Sequence, residues 1–154
     1  MIDAAYRAEY PKTVVLRDGA HVVLRALGSE DRPALAALLA RAPAGERAAF
    51  VTDADVGVIA FDGERAVAAA TLDRRDDARA GLGMIVDPDY AGRRLGTWLL
   101  LDVVHLATAL GAASLEARVP PGDGAYRAAL RRLDFVQATD GTMAKTLHAT
   151  WTDF

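Results

Sequence analysis

Cysteine is absent from this 154-residue chain, which removes disulfides, thiolate nucleophiles and Cys-ligated metals together. Lysine is nearly absent: Lys12 and Lys145 stand alone, and the remaining positive charge is arginine. Serine occurs only at Ser29 and Ser114, neither in a G-x-S-x-G elbow, so a serine-hydrolase arrangement has no nucleophile. His21, His105 and His148 are scattered, with no pair at metal-ligand spacing, and no metal is expected. There is no G-x-x-x-x-G-K-[ST] loop, and Gly81-Leu82-Gly83 lacks the third glycine of a dinucleotide fingerprint. A net charge of -3 argues against a nucleic-acid partner gripped through a basic surface. Long apolar runs are missing as well. Leu95 to Leu110 is broken by Asp102 and His105 and is too short to span a bilayer, so a buried helix and no membrane partner are expected. The opening MIDAAYRAEYPKT carries charges and no apolar signal core, and the lack of cysteine fits a cytoplasmic protein.

What is present is 52% hydrophobic and 25% charged, enough apolar content to exclude disorder. The length fits one domain over residues 1–154, with 1–12 and 148–154 as tails. Abundant alanine, with arginine in place of lysine, is the composition of a GC-rich bacterial genome and carries no mechanism.

Asp-Gly turns punctuate the first half. Thr13 to Leu16 and His21 to Leu27 flank Arg17-Asp18-Gly19-Ala20, and VGVIAF (56–61) and RAVAAATL (65–72) flank Asp62-Gly63-Glu64, so two hairpins are expected. Between them Ser29 can cap a helix striped by Leu35, Leu38 and Leu39, ended by Pro43 and Gly45, with a short second helix over Glu46 to Val51. The charged DRRDD reads as a turn, with Asp73, Asp76 and Asp77 solvated, before the strand GLGMIVD (81–87). A helix from Arg93 to Leu110 is closed by Gly111. SLEARV (114–119), a helix through Leu133 capped by Gly122 or Asp123, and a hairpin of FVQA with TMAKTL complete the chain. The expected fold class is α/β (α+β), a mixed and mostly antiparallel sheet flanked by helices.

The stretch DPDYAGRRLGTW stands out chemically. A helix amino-terminus carries unpaired N–H groups and partial positive charge, which attract phosphate. Gly92 and Gly96 clear side chains, Arg93 and Arg94 can reach phosphate oxygens, and Thr97 adds a hydroxyl. The same residues would also suit a surface turn with solvated arginines and a glycine for helix-strand packing. Trp98 reads as core packing, and His105 as a stripe or core histidine.

The segment Ile85 to Thr97 resembles the coenzyme A signature of the GCN5-related N-acetyltransferase (GNAT) family, in which a strand ending V-x-P-x-Y/W/H precedes a Q/R-x-x-G-x-G/A loop. The order of elements resembles that family along essentially the whole chain, and RRLDF resembles its closing L-Y-x-K-L-G-F. The resemblance implies a GNAT-like fold with two splayed strands and direct acetyl transfer from acetyl-CoA to a primary amine. It also implies that Met84, Ile85 and Val86 pair with pantetheine and place an amide near the thioester carbonyl. Ala91, Gly92, Arg93, Arg94, Leu95, Gly96 and Thr97 would hold the pyrophosphate, and Asp123 falls at the family's asparagine. A homodimer is plausible by the same analogy, and the acceptor amine is open.

Several positions depart from the pattern. Ala91 stands for Gln or Arg, Arg94 for the middle glycine, and Asp134 for the glycine before Phe135. Gly81 stands where many members carry a carboxylate base, and Leu130 where many carry a tyrosine acid. Two replacements can be named. Tyr126, one helical turn before Leu130, is either a displaced acid or an aromatic packing residue. Glu116, alternating with Leu115, is either a base facing the cleft or a salt-bridged surface residue. The alternative to an enzyme is an acyl-CoA-binding sensor or interaction domain with little catalysis; a third reading is an anion-binding regulatory domain.

Overall fold

The computed structural model describes residues 10–16, 18–42, 50, 56–76, 78–92, 94–120, 124–139 and 141–147. Its elements run β1 (Lys12–Val15), β2 (His21–Ala26), α1 (Arg32–Arg41), β3 (Val56–Asp62), β4 (Arg65–Arg74), β5 (Arg79–Val86), α2 (Leu95–Ala109), β6 (Ser114–Arg118), α3 (Gly124–Arg132), β7 (Val136–Thr139) and β8 (Thr142–Thr146). The strands form one eight-stranded sheet in the order β1-β2-β3-β4-β5-β6-β8-β7. Only the β5–β6 pair is parallel, as the helical crossover between these strands requires. The expected mixed, mostly antiparallel sheet is therefore observed.

Both Asp-Gly hairpins form. Gly19 (φ 87°) and Gly63 (φ 63°) supply the left-handed conformations that such turns need. The carboxylate of Asp18 accepts the amide of Ala20 at 3.1 Å. Gly111, at φ 85°, ends α2 as expected.

Three readings need correction. Ser29 does not cap α1: Ser29–Asp31 is a 3-10 turn whose N-cap is Gly28. The carboxylate of Asp31 accepts the Gly28 amide at 3.0 Å and also binds Arg25, and an acidic group can reach back in this way while a glycine cannot cap with a side chain. β4 runs two residues beyond Leu72, so Asp73 lies in the sheet opposite Gly81 and the charged turn is shorter than expected. Trp98 is 42% exposed, with Leu101 beside it at 37%. The suggested helix over Glu46 to Val51 and the caps Gly122 and Asp123 lie outside the described residues, as does Asp77; of that helix only Phe50 is described, in no regular element.

Side-chain alternation divides the core in two. On one face, Leu82, Leu115, Ala117 and Met143 pack with Leu99, Leu100 and Val103 of α2 and with Ala129 and Leu130 of α3. Burial of each such leucine or valine contributes roughly 1.5–3 kcal/mol. On the other face, Ile59, Ala69 and Ile85 pack with Leu35 and Leu38 of α1. Asp102 ties the sheet edge to α2 by accepting from Lys12 at 2.9 Å and from the hydroxyl of Tyr10 at 3.0 Å.

Candidate active site

The parallel ladder between β5 and β6 runs from Arg79↔Ser114 to Leu82↔Ala117 and stops. Beyond it β5 continues to Val86 paired only with β4, while β6 reaches Arg118 paired only with β8. The two strands part there, leaving the edge of Gly83–Val86 without a ladder on the β6 side. Backbone groups on such an edge need partners from solvent or a ligand. Met84, Ile85 and Val86 thus lie along the opening between the two strands.

The amino-terminus of α2 lies against this opening. A Cβ added to Gly96 would meet Met84 Cε at 3.1 Å and Val86 Cγ2 at 3.7 Å, so the missing side chain lets the first turn settle on β5. Leu95, 1% exposed, anchors the same turn in the core. Arg94 is the N-cap, makes no side-chain cap and sits at φ 67°. The first N–H groups of a helix lack intrahelical partners, so this end of α2 presents donors and partial positive charge. Ala91 and Gly92 are exposed just before it, with Gly92 at φ 78°, and Thr97 lies in the first turn. Arg93 and Asp123 lie outside the described residues.

The loop feeding this helix is held by a network that sequence reasoning missed. Asp87, 2% exposed, accepts from the Asp89 amide at 2.9 Å, from Arg41 Nε at 2.8 Å and from Arg65 Nη2 at 2.8 Å. Arg41 also donates to the Ala66 carbonyl at 2.6 Å, and Arg65 reaches Asp89 at 3.2 Å. The hydroxyl of Tyr90 donates to Asp62. Burial would raise the Asp87 pKa, but the Asp89 amide and the two guanidinium groups outweigh it and hold the carboxyl below its ordinary value. The carboxylate therefore joins the end of α1, the β3–β4 hairpin and the turn leaving β5.

The other candidates fall on both sides of the sheet. Gly81 offers no carboxylate, and a Cβ there would lie 2.7 Å from the guanidinium of Arg75. Arg75 donates to Glu116 Oε1 at 3.0 Å, and Arg79 lies 3.9 Å from Glu116 Oε2. Glu116 is register partner to Gly81 and shares its face, while Leu115 and Ala117 point into the α2–α3 core. Tyr126 is 7% exposed and Leu130 fully buried, both packed in that core rather than beside Glu116. The structure therefore separates Glu116 and Tyr126 onto opposite sides of the sheet. His105 is exposed on α2.

Among the described residues no group of three or more His, Asp or Glu side chains could hold a metal, and no helix is long and apolar enough to cross a membrane.

A mixed sheet splayed between β5 and β6, with helices on both faces, matches the GNAT fold. The family model described as "Acetyltransferase (GNAT) family" matches residues 24–135, well over half of the chain, which thus belongs to the GNAT acetyltransferases, a family that uses acetyl-CoA. No curated protein matches the sequence. Among solved structures, the GNAT domain of S. lividans PAT is similar at TM-score 0.78 and 20% identity, over 91% of this chain and 98% of that one. The ribosomal-protein-S18-alanine N-acetyltransferase from Escherichia coli is similar at TM-score 0.68 and 25% identity, over 82% and 94%. The protein yncA from Salmonella typhimurium, solved with its cofactor acetyl-CoA, gives TM-score 0.64 and 17% identity, over 84% and 96%.

Proposed function

We propose that the chain moves an acetyl group from acetyl-CoA to a primary amine by direct attack in a ternary complex. The observation that carries this reading is the fork beyond Leu82↔Ala117 with the α2 amino-terminus against it. Backbone groups of Met84, Ile85 and Val86 pair with the pantetheine arm, and an amide of that stretch stabilises the oxyanion. Ala91 to Thr97 take the pyrophosphate through backbone N–H groups, helped by Arg93 and Arg94, and Asp123 adds a contact at the start of α3.

The amine arrives as an ammonium with an ordinary pKa near ~10.4, so one proton must leave before attack. Glu116 receives that ammonium and passes the proton to solvent. The nitrogen then bonds to the carbonyl carbon, the C–S bond breaks, and the nitrogen sheds its second proton. Tyr126 returns a proton to the sulfur, leaving one proton released per turnover. A second reading, an acyl-CoA-binding sensor, draws on the same Gly81 and Leu130 positions, since neither supplies a titrating group.

The first test is thermal or chemical stability with acetyl-CoA, where ~100-fold excess over Kd should add about 2.7 kcal/mol. No gain with any short acyl-CoA sinks both readings. Thiol release with a panel of amines separates them: release that falls in Glu116→Gln and Tyr126→Phe supports the enzyme, and silence across the panel with intact binding supports the sensor.

A further inference from the structure

With α2 and α3 filling one face of the sheet, an acceptor must approach the fork from the face that carries α1. α1 packs over β4 and β5 there, through Ala69 and Ile85. Over β6, β8 and β7 that face holds a cavity of ≈ 220 Å³ lined by Arg75, Glu116, Arg118, Ala138 and Thr142. It adjoins the fork: Glu116 is opposite Gly81, and Arg118 is the residue just past the last β5–β6 pair.

The charges in this cavity are unequal. Arg75 is committed to Glu116 at 3.0 Å, but Arg118 is exposed and makes no ion pair with any described residue. Glu116 and Arg118 are two residues apart on one strand, so they share a face and lie roughly 6.7 Å apart along it. A carboxylate that can receive an ammonium thus stands a short distance from a guanidinium that pairs with no described carboxylate. Thr142, register partner of Arg118, adds a hydroxyl to the same wall.

We infer that the acceptor is an amine that itself carries a carboxylate, an amino acid or a peptide presenting one, with its ammonium at Glu116 and its carboxylate on Arg118. Guanidinium binds carboxylate through two parallel hydrogen bonds, which gives orientation as well as attraction. Arg118 is then the residue that selects the acceptor, and Arg75 keeps the Glu116 carboxylate turned into the cavity. This inference rests on the proposed transferase reading.

The test compares matched acceptors, alanine against alaninamide and a dipeptide against its amide, in wild type, Arg118→Gln and Arg118→Lys. Amine basicity differs within each pair, so the readout is how the acid-to-amide ratio of kcat/KM changes between proteins. A hydrogen bond to a charged group is worth ~1.5–3 kcal/mol, so Arg118→Gln should lower that ratio about 10- to 100-fold, mainly through KM. Arg118→Lys should restore part of it, and the amides should react equally in all three. A ratio unmoved by Arg118→Gln, or equal losses for acid and amide, overturns the inference. Arg118 is exposed, so the variants should melt with wild type. If no acceptor turns over, the transferase reading falls. Calorimetry of N-acetylalanine and N-acetylalaninamide on the CoA-loaded protein then decides the subsite alone: tighter binding of the acid, lost in Arg118→Gln, sustains it, and equal or absent binding of both overturns it.

Discussion

The two sides of the fork are built differently. On the proposed coenzyme side the turn leaving β5 is tied down: Asp87 joins two arginines and an amide, Tyr90 binds Asp62, and the first turn of α2 rests on Met84 and Val86. On the proposed acceptor side Gly81 is bare, and the carboxylate is Glu116, 24% exposed against 2% for Asp87. The coenzyme end is set by backbone held in one conformation. The proposed acceptor end is set by side chains.

The largest effect that would test this contrast falls on Asp87. Asp87→Ala leaves Arg41 and Arg65 without their shared carboxylate and releases the turn after β5. Breaking a buried pair costs ~3–5 kcal/mol, and because both arginines are a third or more exposed we expect about 2–3 kcal/mol in denaturant unfolding. Affinity for acetyl-CoA should fall with it. The sign of the pH dependence follows from the depressed folded-state pKa. The contribution of Asp87 is complete above the unfolded value near ~3.9 and is lost as pH falls through the folded value. Asp87→Asn should therefore flatten the acid limb of the stability profile. Asp76, pushed down to about 2 first by its bond to Arg79, acts with the same sign but from an exposed turn, so Asp76→Asn should flatten the limb less. Equal stability of wild type and Asp87→Ala would return the network to surface decoration.

Next comes Glu116→Gln, which keeps the shape of the side chain. General-base positions contribute ~10²–10⁴-fold, so thiol release with the best acceptor should drop about a hundredfold while coenzyme affinity is unchanged. A variant that loses coenzyme binding instead would place Glu116 on the wrong side of the comparison.

Sequence reasoning read the turns and helix ends around the fork well because their signals are local. Asp-Gly turns, Gly111 and the Ile85 to Thr97 run each declare themselves within a few residues. Asp87 did not, because Arg65 lies 22 residues away and Arg41 lies 46 away, and no spacing rule links them. The reach of β4 through Asp73 and Arg74 is hidden by a charged run that reads as turn, although its first two residues pair with Gly81 and Ala80. Trp98 was placed in the core because α2 is apolar almost all round, so its pattern does not say which side faces water. Arg118 was passed over because an arginine near a strand end is unremarkable until Glu116 and Thr142 are seen beside it.

The smallest expected effects concern backbone conformation. Among the described residues only Arg94 and Asp134 are non-glycine at positive φ, at 67° and 69°. By the resemblance both stand where the family pattern places glycine, and both adopt the left-handed conformation that glycine takes freely. A left-handed residue with a side chain costs roughly 1–2 kcal/mol, least for Asp, and glycine returns part of that through unfolded-state entropy. Arg94→Gly should therefore stabilise the protein by about 0.5–1 kcal/mol and Asp134→Gly by less. Arg94→Ala is the informative partner to the first, since it removes the guanidinium but keeps the strain. If Arg94 binds pyrophosphate, both Arg94 variants should lose coenzyme affinity, by several-fold at low salt and less at high salt, while only the glycine variant gains stability. Unchanged affinity in both would mean that the backbone of this turn holds the phosphates unaided, the extreme form of the contrast between the two sides.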